Sequence, residues 1–221
     1  MTAKLRLLVV VGSLAVAVAI VQPSVIARVQ TEGILTTSDG DTVDITGPAR
    51  AAGLVFAPDV APGDQAWITE AIGRARPEAA RLIAEVDGLV RVGTFAAAGT
   101  TLGVTRSHER GFDVDFNITH LDGERAGDRT TVVLHELGHV IDFALVPAAV
   151  DAKLDALIPR GGPCGLALDC DVVEERFADT FAKWALNGAV SEFGAGYGIA
   201  LPPSLEDWGA PLAQLALALE R

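Results

Sequence analysis

The sequence predicts one α+β domain: a small, mostly antiparallel sheet packed on a helix that carries HELGHVID, with a second helix of ligand-bearing character downstream. Three observations predict it. Apolar residues have helical spacing at Trp67, Ile68, Ala71 and Ile72, alternate strictly with polar ones by residues 112–118, and return to a helical pattern after Thr130. The chain has 221 residues, half of them apolar, which suits a single domain with its own core. No internal repeat or linker-like stretch divides it.

The N-terminus has a different character. Lys4 and Arg6 precede an apolar run from Leu7 to Val21, Pro23 breaks it, and Ser24-Val25-Ile26-Ala27 follows. A basic start, a short apolar stretch and a small-residue site form the pattern of a secretory signal peptide, with cleavage expected after Ala27. The alternative is an uncleaved membrane anchor, for which the 15-residue run is short of the roughly 20 needed to span. The expected division is a signal segment 1–27 and a single domain 28–221, secreted or extracytoplasmic. The chain carries a formal charge of −12, with 17 Lys and Arg against 29 Asp and Glu; removing Lys4 and Arg6 with the signal makes it −14. Such a surface makes a poor partner for nucleic acid or anionic lipid. It leaves a peptide or protein substrate, and contact with a membrane only through an uncleaved anchor. The two cysteines, Cys164 and Cys170, lie in GGPCGLALDCD. In an exported chain they are expected to form a disulfide.

The elements follow in order. Gly33 to Gly47 has the form of a hairpin, with ILTT and TVDIT flanking Ser38-Asp39-Gly40-Asp41. Asp64 is placed to cap a long helix running to about Val86, divided or kinked at Pro77. LVRVGTF (89–95), TLGVT (101–105) and FDVDFNI (112–118) read as strands. In the last, Phe112, Val114 and Phe116 alternate with Asp113, Asp115 and Asn117, as in an edge or half-exposed strand. Asp128 is a good N-cap for a helix from Thr130 to about Ala144, before Pro147. Shorter helices are expected over 148–158, over 172–186 with Asp171 as cap, and after Ser204, with Pro211 inside the last.

HELGHVID occupies residues 135–142. A helix turns about 100° per residue, so His135 and His139 point about 40° apart on one face. Two imidazoles so placed grip one ion from the same side. Glu136 stands beside the first of them, within reach of a water on the metal rather than of the metal itself, where a general base belongs. Zinc lowers the pKa of such a water toward about 7. The motif is specific but short, and Gly138 leaves room for another backbone to approach.

A catalytic zinc site normally has three protein ligands and a water. The metzincin continuation would need Gly and His where Asp142 and Leu145 stand, and the inverted His-x-x-Glu-His is absent. A distant acid is required, and DVVEERFADTFAKWAL (171–186) is the best segment. Glu175 shares its helix face with Ala178, Asp179 and Ala182. The alanines would let this helix lie close against the first, and Asp179 stands one turn on, where it could accept a hydrogen bond from a ligating imidazole. Glu174 is the competitor, on a stripe with Phe177 and Phe181.

HELGHVID followed by EERFADTFA is similar to the gluzincin metallopeptidases, and looks most like the zinc domains of the anthrax lethal factor type. The resemblance is confined to these two segments. It implies a zincin-like fold, one Zn2+ per chain held by His135, His139 and Glu175, Glu136 as general base, Asp179 supporting the ligands, and hydrolysis of peptide bonds. One departure stands out: the family has a Tyr shortly before the third ligand, and here the cysteine loop occupies that stretch.

Asp142, seven residues after His135, lies nearly on its face and is a candidate to support the ligands. Tyr197, the only tyrosine, is the candidate oxyanion donor. His108 and His120 flank the FDVDFNI strand and are weaker candidates for that role. That strand, if at an edge, would align an extended peptide by main-chain pairing. A zinc hydrolase of a non-peptide substrate and a non-catalytic exported zinc-binding protein remain alternatives; the presence of Glu136 speaks against the second.

Overall fold

A computed structural model describes residues 54–160, 172–189 and 199–219, together with four short strand segments nearer the N-terminus. Those segments form two antiparallel pairs. β1 (Arg6–Val10) pairs with β2 (Val16–Ile20) within the apolar N-terminal run. β3 (Gly33–Thr36) pairs with β4 (Thr42–Ile45), Thr36 opposite Thr42, as the Asp-Gly hairpin signal predicts; the turn itself lies outside the described residues. Ala27, the expected cleavage position, also lies outside them. Among the described residues no helix is long and apolar enough to cross a membrane.

The domain proper opens with β5 (Val55–Phe56) and two helices, α1 (Pro62–Gly73) and α2 (Pro77–Val86). Pro77 divides the predicted long helix, since a proline ring fits the first turn of a helix but not its interior. Asp64 is not the cap. Pro62 begins α1, and Asp64, inside the first turn, accepts a 2.8 Å hydrogen bond from the Trp67 indole.

Three strands follow: β6 (Val90–Phe95), β7 (Gly103–His108) and β8 (Gly111–Asn117). The sheet order is β5-β6-β8-β7. One sequence expectation is corrected here, and one alternative is decided. The sheet is not mostly antiparallel: β5/β6 and β6/β8 are parallel, and β7/β8 alone is antiparallel. The α1–α2 crossover makes the first pair parallel, and the tight β7–β8 hairpin returns β8 beside β6. Of the two alternatives for FDVDFNI, β8 is the half-exposed strand, with Asp113 and Asp115 half-buried between buried neighbours, and not an edge strand; β7 is at an edge. The wet face of β8 fits an interior place because its aspartates meet arginines of the neighbouring strands. Arg91 on β6 lies 3.5 Å from Asp113, and Arg106 on β7 lies 2.6 Å from Asp115.

A 3-10 turn (Gly123–Asp128) leads into α3 (Arg129–Ala144), with Asp128 at the N-cap position. Every residue from Thr131 to Asp142 is buried, so α3 is a central helix with no solvent face. α4 (Ala148–Leu157), α5 (Val173–Ala185) and α6 (Leu205–Leu219) surround it. Val172, not Asp171, occupies the N-cap of α5, and Asp171 lies outside the described residues. Asn187 and Gly188 end α5 with φ of 53° and 83°, and the Gly188 N–H reaches the Lys183 carbonyl at 2.8 Å. Ser204 caps α6 as expected, its Oγ accepting from the Asp207 N–H at 3.1 Å. Phe177, Phe181, Trp184 and Trp208 pack as an aromatic cluster between α5 and α6.

Candidate metal centre

α3 and α5 pack directly on each other, and small residues permit it. A Cβ on Gly138 would stand 3.0 Å from the Ala178 Cα, so the α5 backbone runs against the missing side chain. Phe181 Cδ1 would lie 3.2 Å from the same Cβ, and Ala178 and Ala182 are both fully buried. The approach brings Glu175 to the two histidines of α3. His135 Nε2 lies 3.1 Å from Glu175 Oε2, and His139 Nε2 lies 3.7 Å from Glu175 Oε1. The imidazole centroids are 4.9 Å apart and nearly perpendicular. One ligand atom from each residue falls within 4.8 Å of the others, and all three residues are buried.

These dimensions suit a metal. Ligands at about 2.0–2.1 Å from a tetrahedral ion are separated by roughly 3.3 Å. The two observed gaps to Glu175 bracket that value. The donor set of two imidazoles and a carboxylate is also the kind a catalytic zinc takes, leaving a position open. The group His135, His139 and Glu175 could therefore hold a metal ion.

No protein-family model, curated protein or solved structure matches this chain.

Its electrostatics are those of tightly coupled groups out of water. Burial alone would raise the Glu175 carboxyl, but the charge and hydrogen bonds of His139 and His135 hold it well below the usual carboxylate range. Burial would lower His139, yet Glu175, with Glu136 and Asp142, raises it to about 9. Glu136 is pushed up by burial, with the two histidines and Thr105 opposing.

Glu136 is buried beside the group but is not one of the three. Thr105 Oγ1 on β7 donates to its Oε2 at 2.8 Å, and the same hydroxyl stands 3.0 Å from the Glu136 carbonyl oxygen. Glu174 is half-buried and outside the group, so α5 presents Glu175, as its spacing suggested. Asp179 is fully buried one turn on from Glu175. Its Oδ2 accepts from Lys183 Nζ, and its Oδ1 is buried without a hydrogen-bond partner among the described residues. Burial raises its pKa, while the charges of Lys183 and His135 lower it. Its hydrogen-bond donor is thus Lys183, though it couples to His135 through charge. Asp142 is buried and contributes to the upward shift of His139.

Of the remaining candidates, His108 is exposed and its Nδ1 accepts from the Arg110 N–H at 3.3 Å. His120 is half-buried in the turn after β8. Neither joins the group. Tyr197, Cys164 and Cys170 lie outside the described residues. Sequence reasoning missed Thr105, Gly103 and Lys183. Lys183 was within reach, since it stands four residues after Asp179, a helical ion-pair spacing. Thr105 and Gly103 carry no such signal, because their contact with Glu136 spans the sheet–helix interface.

Proposed function

We propose that this chain is an exported zinc metallopeptidase of gluzincin type that hydrolyses peptide bonds with Glu136 as general base. One observation carries the reading: a buried carboxylate, Glu136, stands beside a buried His-His-Glu group without belonging to it. A purely structural metal would want a fourth protein ligand, and no use for that extra acid.

His135, His139 and Glu175 would hold one zinc. Bound zinc supplies a water acidic enough to ionise near neutral pH and polarises the scissile carbonyl. Glu136 takes the proton from the attacking water at a carboxylate oxygen and passes it to the departing amine nitrogen. Its burial raises its pKa toward the working pH, which suits a group that must both accept and return a proton. Asp142 acts on His139 through its charge, and Asp179, held by Lys183, couples through charge to His135. The peptide-aligning role expected of FDVDFNI passes to β7, the sheet edge that packs on α3 beside Glu136. Export rests on the segment from Lys4 to Ala27, and an oxidised Cys164–Cys170 pair goes with it.

The test is digestion of casein or a peptide library. Cleavage should disappear with a chelator and return with zinc. Glu136→Gln should keep about one zinc per chain, the content of a mononuclear site, and lose turnover. Full activity in Glu136→Gln would refute the mechanism.

A further inference from the structure

We infer that Thr105 is a positioning residue for Glu136, working with a notch at Gly103 on the same face of β7. This inference rests on the reading of Glu136 as general base, but it makes a structural claim of its own. Two observations carry it. Thr105 is buried, and its hydroxyl donates to Glu136 Oε2 at 2.8 Å. Gly103, two residues earlier and therefore on the same face of the strand, has no side chain where one would collide with Glu136. A Cβ there would stand 2.6 Å from Glu136 Cγ and 2.6 Å from Oε1. The strand thus shapes a slot for one side chain: glycine makes the space, and threonine fixes one oxygen.

The consequence is chemical. A glutamate has three side-chain torsions, and a general base must hold one of its oxygens within hydrogen-bond reach of the proton it takes. With Oε2 engaged by Thr105, Oε1 is the oxygen left for proton transfer, and the carboxylate plane is set by the hydroxyl. The hydroxyl also stands close to the Glu136 carbonyl, at 3.0 Å. The hydroxyl has one proton, which the carboxylate takes; the nearby carbonyl oxygen marks how closely Glu136 lies against β7. Because β7 is an edge strand, whatever shifts this edge shifts the base with it.

The experiment uses the zinc-loaded full chain and three variants, Thr105→Val, Thr105→Ser and Gly103→Ala. High-resolution crystal structures read the place of Glu136 directly. Thr105→Ser should keep Oε2 on the hydroxyl, while Thr105→Val and Gly103→Ala should displace the carboxylate, with all variants holding zinc. In peptide hydrolysis, Thr105→Val should lower kcat by about ten- to a hundredfold, the loss of one hydrogen bond to a charged group, at unchanged KM, and Thr105→Ser should restore most of it. Glu136 keeping its position in Thr105→Val overturns the inference whatever the enzyme does. A Thr105→Ser variant as slow as Thr105→Val overturns it too. Absence of chelator-sensitive hydrolysis in the unmutated chain would instead remove the peptidase reading, and the crystal structures would still decide whether Thr105 places Glu136.

Discussion

Replacing Gly138 by alanine should weaken metal binding measurably while leaving the protein folded. The added Cβ would lie 3.0 Å from Ala178 Cα, 3.2 Å from Phe181 Cδ1 and 3.3 Å from the Ala178 carbonyl oxygen. Non-bonded carbons rest at roughly 3.5–4.0 Å, so α3 and α5 must part by about half an ångström at this point. Overpacking of this kind costs about 1–3 kcal/mol. Alanine returns about 1 kcal/mol through its better helix propensity. The net loss of stability is therefore small, about 0–2 kcal/mol. The metal site is less forgiving. Gly138 precedes His139 by one residue and Ala178 follows Glu175 by three, so the separation opens the gap between imidazole and carboxylate. Half an ångström exceeds the roughly 0.2 Å tolerance on a metal–ligand distance, and zinc affinity should fall on the order of tenfold to a hundredfold. Competition titration against a chromophoric zinc chelator measures the affinity, and urea denaturation measures the fold. Gly73→Ala is the control: it is exposed at the end of α1 with nothing among the described residues within 4 Å of its added Cβ, so zinc affinity should hold and stability should stay level or rise by up to about 1 kcal/mol. A Gly138→Ala protein that binds zinc as tightly as its parent would refute the claim that this contact sets the site.

Glu175→Ala should lose zinc during purification, read by metal analysis, whereas Glu174→Ala should retain it; the reverse result would put the helix face one residue out of register. His139 holds its proton up to about pH 9 against protein groups alone. Below that pH zinc must displace the proton, so uptake should release one and apparent affinity should rise about tenfold per pH unit from 7 to 9. A flat profile in that window contradicts it. Lys183→Met leaves Asp179 buried and without its cation, which should cost about 3–5 kcal/mol in urea denaturation; a change under about 1 kcal/mol would mean the pair is not sealed from water. Exported protein should begin near Arg28 with Cys164 and Cys170 oxidised, and mass spectrometry finding Met1 or two free thiols would remove one or both halves of that expectation.

What the sequence disclosed about the fold and the site divides along a physical line. Features set by neighbouring residues were legible. The strands over 90–95 and 111–117, the break at Pro77, the Ser204 cap and the facing of His135 and His139 all depend on residues a few positions apart. Glu175 was legible across forty positions because Ala178 and Ala182 mark the close-packing face of its helix. Sheet order was not. Alternation in FDVDFNI records that one face is polar, but it cannot record that arginines from two other strands meet that face. The Thr105 contact was hidden for the same reason, as were the partners of Arg176, which lie seventeen to twenty-one residues away.

Those partners bear on why Glu175 rather than Glu174 meets the histidines. α5 buries four charged residues, Glu175, Arg176, Asp179 and Lys183. Burying charge is costly unless it is paired, and apolar residues of the same size would often stabilise as well or better. Here each charge has a fixed destination. Arg176 Nε donates to Asp155 at 2.8 Å, and its terminal nitrogens reach the carbonyls of Ile158, Asp155 and Pro159 at 2.6, 3.2 and 3.2 Å. It closes the end of α4, where helix carbonyls lack internal partners. At the other end of α5, Lys183 joins Asp179 and donates to the Ile199 carbonyl at 2.8 Å. A helix held by apolar contacts alone could turn by one residue at little cost. Turning α5 by about 100° would strip Arg176 and Lys183 of these acceptors while they remained out of water. The buried charges thus act as keys for the rotation of α5. That rotation is what sends Glu175, and not its neighbour, toward His135 and His139.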